Sequence, residues 1–386
     1  MHQNKQYDYI VTGGGCAGLS FIMHVLNEPQ LADKRILLIE KELKNQNDRT
    51  WCYWEKGEGF FEDILFRKWN QAWFHGPGYS SKKSLSPYAY KMIRGVDFYQ
   101  HCFQKIKDSK QVDVVHEEVV SVEGGEEVAH VQTNTCSYSC KYVFNSILFG
   151  IPQLGKNNYY LLQHFKGWII ETDDDAFSME EPTLMDFRVD QKFGTTFVYV
   201  MPLEKNRALV EYTLFTKELL KGEEYDAGLR AYIQDYLGIK EYRIAEEEYG
   251  IIPMTDFKFS ATHKNIVNMG TAGGFTKPSS GYTFRYIQKH AMKLVSSLKE
   301  NGHPHVTESR MQRRFRWYDQ TLLHMLHFDK MPGSKIFTLL FKHNRIQSIF
   351  RFLDNETSVG EEVFLLNSLP QIPFMKAGWH ELMKSE

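Results

Sequence analysis

The chain has 386 residues and a net charge of −2, which suits two domains or one large α/β unit with an inserted module. The charge balance excludes the basic footprint of a nucleic-acid-binding protein, and no apolar run approaches the about 18 residues of a membrane-spanning helix. Five cysteines without metal-type clustering predict reduced thiols and no metal site. Residues Met1–Gln6 lack the apolar core of a secretory signal, so we expect a cytoplasmic protein.

A glycine-rich turn follows the first predicted strand. Tyr9–Thr12 is β-branched or aromatic, predicts a buried strand, and leads through Gly13, Gly15 and Gly18 into a helical pattern. This G-x-G-x-x-G spacing supplies a tight turn, close backbone approach to a pyrophosphate and close helix–strand packing. The helix N-terminus offers free N–H groups to phosphates. The pattern predicts a dinucleotide site, and the alternative is a glycine-rich turn in an ordinary βαβ unit.

A second apolar strand and an aromatic segment follow. Arg35–Glu40 ends in an acid about 20 residues after the glycines, where a carboxylate accepts the ribose hydroxyls of a dinucleotide. We therefore expect Glu40 to bind the adenosine half. Asp48–Trp54 combines three large aromatic residues with Arg49. It predicts a segment that lines a cavity, although a packed loop could have the same composition.

The next hundred residues predict mixed local structure. Residues 60–90 predict short strands and turns, and Tyr90–Lys107 predicts an amphipathic helix. Residues 112–122 and 128–143 predict strands joined by a hairpin, and 143–148 predicts a further buried strand. We assign residues 1–165 to the first part of a nucleotide-binding domain.

The middle third predicts an antiparallel sheet. Thr183–Arg188, Thr195–Met201 and Ala208–Phe215 are consecutive apolar runs, and a turn at 204–207 joins the last two. We therefore expect an inserted antiparallel substrate domain over residues 166–245.

Glu211 is the main candidate for chemistry in this sheet. Strand alternation places it on one face with Leu209, Thr213 and Phe215. If that face borders a cavity, burial raises the pKa of Glu211 and suits it to proton transfer. The alternative is a strand glutamate that faces solvent. Glu248 is a second candidate carboxylate.

A second glycine-rich loop begins at Gly270 and leads into a predicted helix, Phe284–Leu298. Two half-sites far apart in sequence favour FAD over a simple nicotinamide dehydrogenase. We assign residues 246–300 to the second part of the FAD-binding domain. The predicted fold is a Rossmann-type α/β FAD-binding fold with an inserted antiparallel sheet and a helical C-terminal region over residues 301–386.

The C-terminal region is uneven in charge. Between Arg310 and Arg351, nine Lys or Arg residues face two Asp residues, a net charge of +7, and apolar residues are interleaved with them. A basic amphipathic helix is typical of a membrane-surface element. The alternative is a helix packed on its own domain with a solvated basic face.

The chain resembles the flavin-dependent lycopene cyclase family of bacterial type over nearly its whole length. The resemblance rests on six motifs: Gly13-x-Gly15-x-x-Gly18, Arg49-Thr-Trp51, Phe197-x-Tyr199-x-x-Pro202, Leu209-Val-Glu211-Tyr-Thr213, Glu248-Tyr-Gly250-Ile-Ile-Pro253 and Pro278-Ser-Ser-Gly281-Tyr282. Glu211-x-Thr213 matches the acidic motif in which the family places its essential glutamate. Glu356 lies in a similar motif in the C-terminal helical part, and we reject it. FAD hydroxylases carry Gly-Asp in the second loop, whereas Thr271 follows Gly270 here.

The resemblance implies a lycopene beta-cyclase, an isomerase (intramolecular lyase) of carotenoid biosynthesis that converts lycopene to β-carotene via γ-carotene. It implies Glu211 as the acid/base and reduced FAD as cofactor, with NAD(P)H as reductant and no metal. Because lycopene lies in the bilayer, it also implies a protein peripherally associated with the inner face of the membrane. The expected cofactor-binding residues are Gly13, Gly15, Cys16, Ala17, Gly18, Glu40, Arg49, Gly270, Thr271 and Gly281.

Two other functions remain open from the sequence. One is a flavin redox enzyme of the hydroxylase or prenyl-reductase type, against which Thr271 argues. The other is a carotenoid-binding flavoprotein without catalysis.

Overall fold

A computed structural model describes residues 7–150 and 153–384. Met1–Gln6, from which no secretory signal is expected, lie outside this part. The strands are β1 Tyr7–Thr12, β2 Ile36–Ile39, β3 Thr50–Lys56, β4 Arg67–Trp69, β5 Gln71–Gly76, β6 Tyr79–Ser84, β7 Tyr88–Arg94, β8 Val112–Val115, β9 Val119–Glu123, β10 Ala129–Thr133, β11 Ser137–Asn145, β12 Tyr160–Glu171, β13 Thr183–Asp186, β14 Thr195–Glu204, β15 Arg207–Thr216, β16 Arg243–Thr255, β17 Thr262–His263 and β18 Ile266–Asn268. The α-helices are α1 Cys16–Leu26, α2 Gly95–Asp108, α3 Gly222–Asp235, α4 Phe284–Asn301, α5 Arg310–His327, α6 Gly333–His343, α7 Ile346–Leu353, α8 Val359–Leu366 and α9 Gln371–Met383.

The first sheet has the order β17-β18-β11-β1-β2-β8, with β10 and β9 added beside β11. β1 lies at its centre and pairs in parallel with β2 and β11. Ile10 and Val11 are fully buried in it, as expected for a strand covered on both faces. Helices α1 and α4 pack together against this sheet. The predicted Rossmann-type α/β fold, with parallel and antiparallel sheets and C-terminal helices, is confirmed.

The second sheet has the order β16-β12-β15-β14-β13-β5-β6 and is antiparallel except where β13 meets β5. Its strands lie at 71–84 and 160–255, so the sheet extends beyond the 166–245 expected from sequence. β5 and β6 join it across a long gap in sequence. Local patterns carry no information on such pairing.

The third sheet, β3-β7-β4, corrects a sequence prediction. Tyr90–Arg94 was expected to open a helix, but it belongs to β7, and α2 begins at Gly95. β7 is the central strand and is buried on both faces. Lys91 is fully buried there, and its ammonium group lies 3.0 Å from a carboxylate oxygen of Glu55. The side chains of β7 are apolar or form ion pairs. Periodicity alone does not distinguish such a buried strand from a buried helix.

Two other strand predictions were too long. Residues 112–122 divide into β8 and β9, and residues 128–143 contain the hairpin β10–β11. The predicted turn near Glu123–Glu126 does join β9 to β10. The predicted strand at 143–148 is the end of β11, which stops at Asn145.

The C-terminal region is helical, as predicted, but its basic segment is not one amphipathic helix. Residues 310–351 form α5, α6 and α7, and most of their apolar residues enter the largest core together with the second sheet. Arg314 forms an ion pair of 2.8 Å with the buried Glu362. The packed-helix alternative therefore describes this segment. Within the described residues, no helix has the length and apolar character needed to cross a bilayer.

Candidate active site

The turn between β1 and α1 has the geometry that the three glycines predict. Gly13 has φ +92°, a conformation that side chains rarely adopt. A Cβ atom at Gly18 would overlap the carbonyl oxygen of Gly13, so a glycine is needed for α1 to approach the turn. A Cβ atom at Gly15 would meet no other atom within 4 Å. Gly15 is thus dispensable for packing, and its missing side chain leaves free space at the start of α1.

Glu40 lies buried at the end of β2 and supports this turn. Its two carboxylate oxygens accept the N–H groups of Gly14 at 2.6 Å and Glu42 at 2.9 Å. A carboxylate has further lone pairs for a ribose hydroxyl. That contact remains a prediction.

The second glycine-rich loop lies against the first. Gly270 has φ +55°, and a Cβ atom there would lie 2.9 Å from Cβ of Ala17. Gly281 has φ +72° and packs against the side chain of Gln163. The loop leads into α4, so the N-termini of α1 and α4 open towards the same space. Neither N-terminus has a side-chain cap.

A cavity of about 500 Å³ lies between the two loops and the second sheet. Seven predicted cofactor-binding residues line it: Gly15, Cys16, Ala17, Arg49, Gly270, Thr271 and Gly281. Gly13, Gly18 and Glu40 shape the turn behind it. The segment Asp48–Cys52 also lines the cavity, whereas Tyr53 and Trp54 pack into the cores.

The cavity wall fits a dinucleotide cofactor. Oε1 of Gln163 and Oγ of Ser280 are buried at this wall without a hydrogen-bond partner among residues 7–150 and 153–384. Buried polar atoms are normally paired, so orphaned ones at a cavity indicate a missing partner. Two uncapped helix N-termini add N–H groups suited to phosphates. Sequence patterns did not identify Gln163, because the strand that carries it lies outside both glycine motifs.

Two carboxyl groups meet on the sheet side of the cavity. Gly167 on β12 pairs with Glu211 on β15 and, on its other side, with Glu248 on β16. Directly paired residues of antiparallel strands project to the same face. A Cβ atom at Gly167 would lie 2.9 Å from Cγ of Glu248. The missing side chain therefore lets the two glutamates hydrogen-bond to each other across the central strand.

Threonine hydroxyls hold both carboxyl groups in place. Thr213 donates a hydrogen bond of 2.8 Å to Oε1 of Glu211, and Thr50 donates one of 3.0 Å to Oε2 of Glu248. Leu209 and Glu211 both line the cavity, so Glu211 lies on the cavity face of the sheet. Glu248, a second candidate from sequence, is part of the same site.

The electrostatics of this pair favour a shared proton. Burial raises the pKa of Glu211 well above its usual value, and the negative charge of Glu248 raises it further. Burial also raises the pKa of Glu248, while hydrogen bonds from Glu211 and Thr50 oppose that shift. Two adjacent carboxyl groups in a poorly solvated site do not both ionise readily. We therefore assign the retained proton to Glu211 and the charge to Glu248.

The remaining walls near Glu211 are aromatic and aliphatic. Tyr199 pairs with Glu211 in the neighbouring strand, and Tyr90, Tyr282 and Phe165 also line the cavity. Their π-faces can stabilise a positive charge. Glu356, rejected from sequence, is exposed after α7, where it forms an ion pair of 2.8 Å with Lys289 outside this cavity.

All five cysteines are free. Cys16 and Cys52 border the cavity, and burial raises the pKa of Cys16 to about 12. A thiol with such a pKa remains protonated, so Cys16 is not an activated nucleophile.

Curated relatives connect the chain to carotenoid enzymes. A neoxanthin synthase of Solanum tuberosum is 25% identical over 298 residues, 72% of this chain and 57% of the relative. A lycopene beta-cyclase of Paracoccus sp. is 29% identical over 227 residues, 55% of this chain and 57% of the relative. The chain thus spans about three fifths of the length of the curated relatives it matches.

Solved structures share the fold at low identity. A geranylgeranyl bacteriochlorophyll reductase-like protein of Thermoplasma acidophilum has a TM-score of 0.65 at 14% identity, covering 96% of this chain and 98% of that one. A flavoprotein/dehydrogenase of Cytophaga hutchinsonii has a TM-score of 0.62 at 12% identity, covering 99% and 100%. The sequence model of the family described as Lycopene cyclase protein matches residues 8–378. Since that match covers nearly the whole chain, the chain belongs to the lycopene cyclase family.

Proposed function

We propose that this protein is a lycopene beta-cyclase, an isomerase that closes the ψ-end groups of lycopene into β-ionone rings. The observation that carries the proposal is the Glu211–Glu248 carboxyl pair, which faces a cavity bounded by both glycine-rich loops. Cyclisation needs a proton source and a wall that tolerates a cation. This site offers both, and its described residues include no activated nucleophile.

The protonated carboxyl group of Glu211 acts first. Its proton adds to C2 of the terminal C1=C2 bond, which leaves a cation at C1. The C5=C6 electrons then form the C1–C6 bond and move the cation to C5. Loss of the C6 proton to the carboxylate restores the acid and forms the new C5=C6 bond. One proton enters and one leaves, so the reaction is an isomerisation with no net redox change.

The glycine-rich loops would hold FAD, and the N–H groups at the start of α1 would bind its phosphates. Orphaned Oε1 of Gln163 and Oγ of Ser280 offer hydrogen bonds at the cavity wall. In its reduced form, obtained from NAD(P)H, the cofactor would supply negative charge beside the developing cation. Tyr90, Tyr199 and Tyr282 exclude water from the same space, which prolongs the life of a cation.

Anaerobic incubation with lycopene and chemically reduced FAD tests the proposed reaction. We expect γ-carotene and then β-carotene, with no stoichiometric oxidation of the flavin. Flavin oxidation linked to substrate would instead indicate a hydroxylase or prenyl reductase. Bound but unchanged lycopene would indicate a carotenoid-binding flavoprotein. Either of these results contradicts the proposal.

The shared proton predicts a specific effect of Glu248→Gln. The charge of Glu248 raises the pKa of Glu211, so its removal lowers that pKa. Since Glu211 acts in its protonated form, activity should be lost at lower pH in the variant than in the wild type. We expect the pH at which the cyclisation rate falls on the alkaline side to decrease by about one unit or more.

Glu247→Gln is the matched control for this pH profile. Glu247 lies on the same strand, and its exposed carboxylate forms an ion pair of 3.1 Å with Lys166. In Glu247→Gln, the rate should fall on the alkaline side at the same pH as in the wild type. If that pH were also unchanged in Glu248→Gln, the two carboxyl groups would titrate independently, contrary to the prediction.

A further inference from the structure

The outer face of α9 is apolar and exposed. Ile372, Met375, Trp379, Leu382 and Met383 are each between 62% and 69% exposed. Side chains of this size are normally covered, and a contiguous exposed set marks an interaction surface.

The periodicity of α9 places these residues together. At about 100° per residue, all five fall within an arc of about 100° on the helix. Of the buried residues, Ala377 and Glu381 lie on the opposite side of the helix, and Gly378 lies beside the strip. The surface is therefore a single continuous strip along α9, which we call the α9 strip.

The inner face of α9 is firmly held. The indole N–H of Trp317 donates a hydrogen bond of 2.9 Å to the carbonyl oxygen of Gly378. The hydroxyl of Tyr159 donates one of 2.7 Å to Oε1 of Glu381, and Nδ1 of His324 lies 3.1 Å from the same oxygen. These contacts fix the rotation of α9, so the α9 strip is a fixed property of the folded surface.

The charge beside the α9 strip is positive. A cavity of about 610 Å³ lies between the end of α5 and α9, and Lys330, Lys376 and His380 line it together with apolar residues. None of its eight lining residues, all within the described part of the chain, is acidic. An apolar strip with lysines along one edge complements an anionic phospholipid surface, because acyl chains accept the strip and headgroup phosphates accept the lysines.

We propose that α9 lies in the interface of an anionic bilayer, with the α9 strip at the acyl boundary and Lys330 and Lys376 at the headgroups. This inference names the membrane partner of the proposed cyclase. It rests on the proposed function in one respect only: docking would give the proposed cyclase access to a substrate dissolved in the bilayer. It also moves the apolar part of the docking surface from the basic segment 310–351, most of whose apolar residues are buried, to α9, and it keeps Lys330 of that segment.

Sedimentation with vesicles of phosphatidylcholine containing phosphatidylglycerol tests the docking surface without any substrate. The variant Met375→Glu/Trp379→Glu/Leu382→Glu should bind about tenfold or more weakly than the wild type. Lys330→Gln/Lys376→Gln should lose the preference for anionic over neutral vesicles. The control Val120→Glu/Val128→Glu/Leu219→Glu changes the same charge at side chains that are 59%, 43% and 44% exposed elsewhere, and it should bind as the wild type does.

Fluorescence with brominated lipids locates the contact. The wild type should show quenching that Trp379→Phe lacks, although Trp379→Phe still sediments with vesicles. Wild-type binding by the triple α9 variant would overturn the proposal. So would a wild-type dimer that this variant dissociates, since the strip would then cover a second copy of the chain.

Cyclisation of lycopene in detergent micelles keeps the two proposals distinct. The triple α9 variant should cyclise micellar lycopene at the wild-type rate while it fails to bind vesicles. Vesicle binding by a wild type that never cyclises lycopene would refute the cyclase and leave the docking surface standing.

Discussion

Glu211→Gln should retain bound flavin and bind lycopene but lose cyclisation by about 10²-fold or more. The amide keeps the size of the side chain and can still accept the hydrogen bond from Thr213 at its oxygen. It removes the proton that burial and Glu248 retain on the wild-type carboxyl group. The loss should appear in kcat under anaerobic turnover, with flavin content and circular dichroism unchanged.

Two further variants locate the effect. Glu211→Asp should keep at most partial activity, because its carboxyl group withdraws by one methylene from the cavity and from Glu248. Glu356→Gln alters the similar C-terminal motif, where the side chain is exposed and paired with Lys289, and it should be near normal. If Glu211→Gln were active and Glu356→Gln inactive, the assignment of Glu211 would be wrong, and the catalytic site would lie next to the C-terminal helices instead.

The sequence predicted those parts of the site that depend on local spacing. Gly13, Gly15 and Gly18 follow one another within a single turn, and strand alternation alone placed Glu211 with Leu209. Both patterns follow from backbone geometry over a few residues. Glu211 therefore lies on the cavity side of its strand, where the structure adds a partner that the local pattern could not identify.

Gly167 shows why that partner was missed. It lies 44 and 81 residues from Glu211 and Glu248, and only the register of β12 with β15 and β16 brings the three together. A glycine within a strand signals a close approach but not the group that approaches. The carboxyl pair thus depends on strand pairing, which cannot be read from local patterns in a single sequence.

Burial explains the two larger differences between the sequence predictions and the structure. Tyr90–Arg94 was interpreted as the start of a helix but lies in a central strand covered on both faces. Such a strand lacks the alternation of polar and apolar residues that identifies a half-buried strand. The segment 310–351 has the basic, amphipathic composition typical of a membrane-surface helix, yet Phe337, Phe341 and Phe350 are core residues. α9 instead carries an exposed apolar strip of five side chains on one face of the helix.

Gly15→Val should abolish flavin binding without unfolding the protein. Gly15 has φ −82° and ψ −170°, an extended conformation open to any residue, and a Cβ atom there meets nothing within 4 Å. The valine side chain would instead occupy the free space at the start of α1. There it would keep a pyrophosphate from the N–H groups of the helix.

Flavin absorbance per protein after purification and resupply of FAD should fall by about tenfold or more, while the circular dichroism spectrum stays that of the wild type. Gly222→Val is the matched control. Gly222 is the first residue of α3 and likewise has open space around its Cβ position, so both variants place valine at the beginning of a helix. Gly222→Val should retain full flavin content. A folded Gly15→Val protein with normal flavin content would mean that the cofactor does not approach the first glycine-rich turn, and the assignment of FAD to the two loops would fail with it.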